Sequence, residues 1–288
     1  MHCDCHIHMV LDGDDWSAAI AAHRASPNLE LIRSRLESYA AAGISYLRDG
    51  GDAWGVSLAA REMARDYGID YASPAFPIYR KGRYGAFIGL GYSSESEYLA
   101  LLDRAEHDGA DFIKLMLSGI MDFDSYGELS CEPLPPDEME ALVRAAHARG
   151  FAVMAHVNGD GAVRAALDAG VDSIEHGNFM SADTVRRLAD SDCVWTPTFS
   201  PVLNAIGAGR FSDDVLRRIG AQLMENTALA ASQGAYIALG SDCGAWRVEH
   251  PTGAADELRH MSAALGSGAE LVLGLGSARI KEKFRRRS

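Results

Sequence analysis

Two histidines two residues apart, His6 and His8, stand near the start of the chain in Asp4-Cys5-His6-Ile7-His8. Strand side chains alternate with period two, so both imidazoles would share one face, and Cys3 and Cys5 the other. Imidazole is the commonest biological ligand for zinc-like ions. A single His-x-His pair is a weak signal, but further candidate ligands follow. Lys114 sits amid the apolar residues of 111–117, His156 lies near the end of 151–157, His176 follows Glu175, and Asp242 follows Gly240-Ser241. The other histidines, His2, His23, His107, His147, His250 and His260, fall mostly in helical or loop stretches and are expected at the surface.

Apolar runs at 3–9, 44–48, from about 70, and at 111–117, 151–157, 171–176, 193–198 and 235–241 read as strands. Amphipathic stretches at 29–42, 56–67, 95–107, 136–149, 162–169, 182–189 and 213–232 read as helices, and Gly43, Gly68, Gly150 and Gly170 stop four of them. Pro74 and Pro77 obscure the third strand, and 78–92 reads as a loop. One or two helices finish the chain. This alternation implies a parallel sheet. Eight units in 288 residues match the size of a closed (β/α)8 TIM barrel. An open doubly wound sheet is the second choice, weakened because no glycine-rich phosphate turn follows the first strand. In a barrel the candidate ligands converge, because catalytic groups gather at the C-terminal ends of the strands.

Composition narrows the function classes. The net charge is −13, with 48% hydrophobic and 23% charged residues, a soluble globular balance without the basic patch a nucleic-acid partner needs. The one basic run, 281–287, reads as a solvated helix end or frayed tail. No apolar stretch reaches the roughly 20 residues of a membrane span, and no signal peptide is visible. The five cysteines, Cys3, Cys5, Cys131, Cys193 and Cys243, lack framework spacing. They read as small packing residues of a cytoplasmic protein.

Together the motifs resemble the amidohydrolase superfamily of metal-dependent hydrolases. They are Asp4-x-His6-x-His8, Ile113-Lys114, Ala155-His156, Ile174-Glu175-His176-Gly177 and Gly240-Ser241-Asp242. Leu47-Arg48-Asp49-Gly50-Gly51 and Lys114-Leu115-Met116-Leu117-Ser118-Gly119 are most similar to the imidazolonepropionase and metal-dependent prolidase branch. The resemblance implies two divalent cations, zinc first, with manganese, iron or cobalt as alternatives. His6, His8 and Asp242 would hold one, His156 and His176 the other. A carbamylated Lys114 would bridge them, which also removes the cost of an inward ammonium beside two cations. It further implies hydrolysis of a C–N amide bond by a shared hydroxide, with Asp242 as the proton carrier. The substrate would be a dipeptide, an N-acyl amino acid or a cyclic amide. A lactone or phosphoester hydrolase on the same site is the alternative, and an idle binding barrel a more distant one.

Two departures from the superfamily stand out. Residues before the first strand and after the last helix do not read as the accessory β-sandwich of most members. A bare single barrel over 1–288, burying its free surface as a homo-oligomer, is therefore expected. Prolidase-like members also carry a histidine in the loop after the third strand, whereas Arg80-Lys81-Gly82-Arg83-Tyr84-Gly85 has none. The loop reads first as a solvated basic one, with Arg83 and Tyr84 as candidates for a substrate carboxylate. Tyr126, Asn158 and Arg247 are further candidate contacts with a small-molecule substrate.

Overall fold

A computed structural model describes residues 3–285. Among these residues ten short strands form two parallel sheets. The smaller has the order β1-β2-β3, from β1 (Cys3–Ile7), β2 (Tyr46–Asp49) and β3 (Asp70–Ala72). The larger runs β10-β9-β8-β7-β6-β4-β5. Its strands are β4 (Pro77–Arg80), β5 (Leu90–Tyr92), β6 (Ile113–Met116), β7 (Val153–Val157), β8 (Ser173–His176), β9 (Val194–Thr196) and β10 (Tyr236–Ile237).

Backbone hydrogen bonds join the two sheets at two seams. At one, Asp111 N–H donates to Ser73 O at 2.8 Å. At the other, Cys5 N–H donates to Leu239 O at 2.8 Å, Asp242 N–H to His6 O at 2.8 Å, and His8 N–H to Cys243 O at 2.7 Å. The parallel strands thus run round as a TIM barrel.

The third barrel strand is the irregular one. Its lower part, β3, pairs with β2, and its upper part, β4, pairs with β6 through Pro77↔Lys114. Between them lies Ser73-Pro74-Ala75-Phe76, with Ala75 at φ 63°. Proline has no N–H for a ladder, so the strand breaks there. The stretch 78–92, expected as a loop, instead carries β4 and β5. The eighth strand is shorter than expected, because only Tyr236 and Ile237 keep ladder geometry.

Most helices match their expected bounds, including α4 (Glu95–His107), α7 (Ala182–Ala189) and α9 (Asp213–Ser232). Side chains cap several: Ser94 accepts from Glu97 N–H and Ser181 from Thr184 N–H. Gly170 ends α6 (Asp160–Ala169) at φ 83°, a left-handed conformation that favours glycine. Two short helices lacked a sequence signal, α1 (Trp16–Ala21) and α8 (Ser200–Leu203).

The barrel interior closes from below. Cys5, Tyr46, Ala72, Phe112, Met154, Val194 and Ala238 form one buried cluster with Ile280 of α11 (Ala269–Lys283) and with Phe284. The described part of the basic run is paired rather than frayed. Lys283 meets Asp172 at 3.4 Å and Asp192 at 3.3 Å, and Arg285 meets Asp70. Arg286 and Arg287 of that run, like His2, lie outside the described residues. Two histidines expected at the surface are inside. His23 is buried and accepts from Asn28 N–H, and His250 bridges Tyr39 Oη and Leu11 O.

Candidate metal centre

The N-terminal strand and the turn after the eighth strand build the first donor set together. Asp4 is fully buried and fastens that turn, accepting Ser241 Oγ–H at 2.5 Å and Ser241 N–H at 2.9 Å. Burial pushes its carboxyl up to about 7 despite these donors. With the turn so held, Asp242, at φ 60°, faces both histidines. His6 Nε2 lies 3.3 Å from His8 Nε2 and 3.5 Å from Asp242 Oδ1, and His8 Nε2 lies 3.2 Å from Asp242 Oδ1. Donors about 2.0–2.2 Å from a tetrahedral zinc-like ion are about 3.3–3.6 Å apart, so this triangle has the size of one face of such a site.

Glycines make room for the rings. A Cβ on Gly50 would come within 2.4 Å of His8 Cε1, and one on Gly240 within 2.7 Å of His6 Cβ.

A buried ion-pair chain orients His6. Its Nδ1 is 2.7 Å from Glu175 Oε2, and Glu175 Oε1 accepts from Arg48 at 2.8 Å and Ser173 Oγ–H at 2.5 Å. Arg48 also donates to Cys5 O at 2.7 Å and lies 4.4 Å from the Phe284 ring centroid. Burial alone would raise the Glu175 carboxyl, but Arg48 and then His6 hold it well below the usual carboxylate range. Burial, helped by Lys114, lowers His6 to about 4. His6 is therefore a neutral imidazole, with its proton on Nδ1 and its lone pair on Nε2. Burial would also raise Asp242, yet His6 and His8 hold it far below its ordinary value, as a carboxylate.

His156 and His176 form the second pair, with ring centroids 4.6 Å apart, and His176 lies 5.1 Å from His6. His176 Nδ1 meets Thr198 Oγ1 at 2.7 Å, and Thr198 itself donates to Pro197 O. Thr198 thus accepts the Nδ1 proton, leaving Nε2 as the lone pair. His156 Nε2 lies 3.3 Å from Gly119 O, and donation there leaves Nδ1 free. Burial lowers both histidines, His176 to about 3.

Lys114 completes the set. It is 1% exposed, and its Nζ has no hydrogen-bond partner among the described residues. His8 Nδ1 is likewise buried and unpaired. Burial pushes the Lys114 amine down to about 8, against the pull of Glu175. Its charge in turn lowers His6, His156 and His176. Lone pairs and a carboxylate converging beside an orphaned buried amine suit bound cations, and they suit a lysine converted to an anion.

Residues 80–263, more than half of the chain, match the amidohydrolase family. The chain belongs to this family.

Its relatives include the ochratoxinase of Aspergillus niger, 27% identical over 277 residues, covering 83% of this chain and 56% of that protein. An uncharacterised Mycobacterium tuberculosis protein is 29% identical over 204 residues, covering 68% and 53%. The chain thus spans about half the length of these curated relatives. Among solved structures, a Xaa-Pro dipeptidase with bound methionine matches at TM-score 0.77 and 22% identity, covering 97% of this chain and 74% of that one. The A. niger ochratoxinase structure matches at TM-score 0.79 and 20% identity, covering 99% and 71%. These likenesses establish the fold.

In this amidohydrolase barrel the donor set borders a cavity of about 400 Å3. His8, Lys114, His156, His176 and Asp242 line it, as do Tyr84 and Asn158. Tyr84 tilts over His156 with centroids 4.9 Å apart. The Asn158 amide is already engaged. Its Nδ2 reaches Gly119 O at 3.3 Å, and its Oδ1 accepts from Asn178 N–H at 3.1 Å and Nδ2 at 2.9 Å. It braces the loops that follow β6 and β8.

Arg83, Tyr126 and Arg247 are not brought to this cavity. Arg83 is half-buried elsewhere and Arg247 is exposed. Tyr126 donates to Gln222 at 2.9 Å and lies under the Arg218 guanidinium. Sequence reasoning missed Arg210, the arginine that does line the cavity, and Trp16, Phe87, Phe123, Phe211 and Trp246 beside it. All belong to loops or the start of a short helix, where no periodicity marks the inward side. Glu175 and Arg48 were visible only as letters within motifs.

Proposed function

We propose that the chain is a metal-dependent amidohydrolase that cleaves a C–N amide bond in a small molecule. The observation carrying this reading is the triangle of His6 Nε2, His8 Nε2 and Asp242 Oδ1, with sides of 3.2–3.5 Å, two of whose members line a cavity of about 400 Å3. His6, His8 and Asp242 would hold one divalent cation, and His156 and His176 a second, with Lys114 between them as a carbamate. Bound there, the cations supply a water-derived nucleophile near neutral pH and polarise the scissile carbonyl.

The chain's own groups do the rest. Glu175 and Thr198 hold the His6 and His176 tautomers. Asp242, held ionised and facing the cavity, takes a proton and returns it to the leaving nitrogen. The depressed Lys114 value keeps a share of neutral amine near neutral pH, the form whose lone pair bonds to the carbon of carbon dioxide while its proton leaves. Similarity to a Xaa-Pro dipeptidase and to ochratoxinase supports the amide reading.

Metal analysis of the purified protein should find about two cations per chain, and intact mass one added carbon dioxide that Lys114→Ala removes. Dipeptides and N-acyl amino acids should be turned over faster than lactones and aryl phosphotriesters. Full activity in Lys114→Ala and His6→Ala would remove the reading; exclusive turnover of lactones or phosphotriesters would replace it.

A further inference from the structure

The cavity wall holds one cation that the metal chemistry does not use. Among the described residues, Arg210 is, apart from the buried Lys114, the sole lysine or arginine of the lining. Its guanidinium carbon lies 4.7 Å from the Trp246 ring centroid and 5.1 Å from that of Phe211. The two rings meet at 90°, and Phe211 stacks on Phe123 at 4.7 Å. Packing against two ring faces restricts the rotamers of a long side chain, and so prepares it for a ligand. No carboxylate among the described residues pairs with Arg210, although it is exposed. A planar fork of donors held this way matches a carboxylate in two-point contact.

A second chain of rings lines the same cavity. Trp16 packs edge-on to Phe87 at 5.9 Å, Phe87 meets Tyr84 at 5.6 Å, and Tyr84 reaches the candidate metal ligand His156. Trp16 is 53% exposed, apolar surface that a bound ring would cover.

We propose that Arg210 is the specificity-determining residue of this site, and that the cavity takes amides carrying both an aromatic ring and a carboxylate, the carboxylate paired with Arg210. This rests on the amide-hydrolase reading. The ring lies among the wall aromatics while the scissile carbonyl reaches the floor beside His8 and Asp242.

Three substrates sharing one acetyl amide test this on the metal-loaded enzyme: N-acetylphenylalanine with ring and carboxylate, N-acetylalanine with carboxylate alone, and N-acetylphenethylamine with ring alone. The first should exceed each of the others in kcat/KM by at least about tenfold, the worth of one good charged contact. Arg210→Gln should lose about tenfold more on N-acetylphenylalanine than on N-acetylphenethylamine, and Arg210→Lys should recover part of the difference. A binding readout needs no turnover. Quenching of tryptophan fluorescence by 3-phenylpropionate should weaken about tenfold in Arg210→Gln relative to quenching by 3-phenylpropanamide.

Equal losses on charged and uncharged ligands, or equal use of N-acetylalanine, would overturn the assignment. If no amide is cleaved but the Arg210-dependent binding of 3-phenylpropionate persists, the hydrolase reading fails and the Arg210 assignment stands.

Discussion

His6 Nδ1 and Glu175 Oε2 are 2.7 Å apart in the closed interior of the barrel, and neither side chain has any solvent exposure. The contact joins the first barrel strand to the sixth and sets which nitrogen of His6 faces His8 and Asp242. Behind it, Arg48 neutralises Glu175. The candidate centre is therefore held from below by a charged pair whose members never meet substrate.

Glu175→Gln keeps the shape of this contact and removes its charge. Metal affinity at the His6 centre should fall by about 10–100-fold, measured by chelator competition. Glu175→Ala should instead cost about 3–5 kcal/mol of stability, because Arg48 is left buried without its partner. Wild-type metal affinity in Glu175→Gln would show that the pair serves folding alone.

Gly50→Ala tests the packing of the site at one atom. The added Cβ would meet His8 Cε1 at 2.4 Å, so the ring must leave its place. Turnover and metal content should both drop, with a stability loss of about 1–3 kcal/mol from overpacking. Spectroscopically native protein with normal metal content would show that His8 has another place to go.

Thr198→Val removes the oxygen that receives the His176 Nδ1 proton while keeping the side-chain shape. The two tautomers then compete. Occupancy of the second cation should weaken about 10–100-fold while the first is retained, read by metal titration. Equal weakening of both would place Thr198 outside this role.

Glu257, outside the donor set, is buried where it accepts from Phe199 N–H, Ser200 N–H and Ser200 Oγ–H. Burial nevertheless raises its carboxyl from 4.5 to about 8. Between these values the folded chain binds more protons than the unfolded one, so stability falls as pH rises through that window. The contribution is fully present below the unfolded value and gone above about pH 8. Glu257→Gln, which cannot ionise, should flatten the slope of Tm against pH from 5 to 8. An unchanged slope would assign the pH dependence to other groups, Asp4 among them.

Several parts of the fold and site were legible along the chain. His6 and His8 shared a face because strand side chains alternate, and Lys114, His156 and His176 stood out by their place within or at the ends of apolar runs. Helix bounds such as Glu95–His107 followed from caps and glycine stops within a few residues. The third strand was not legible, since Pro74 and Pro77 hid a break that splits its pairing between β2 and β6.

The sequence by itself determined the eightfold alternation and the shared face of His6 and His8, because both follow from local periodicity. Only the tertiary structure decided which distant groups touch. It joined Glu175 to His6, Thr198 to His176 and Asp4 to Ser241, and it brought Arg210 rather than Arg83 or Arg247 to the cavity. Those contacts come from barrel closure and loop packing, which depend on residues far apart in the chain and leave no periodic mark on it.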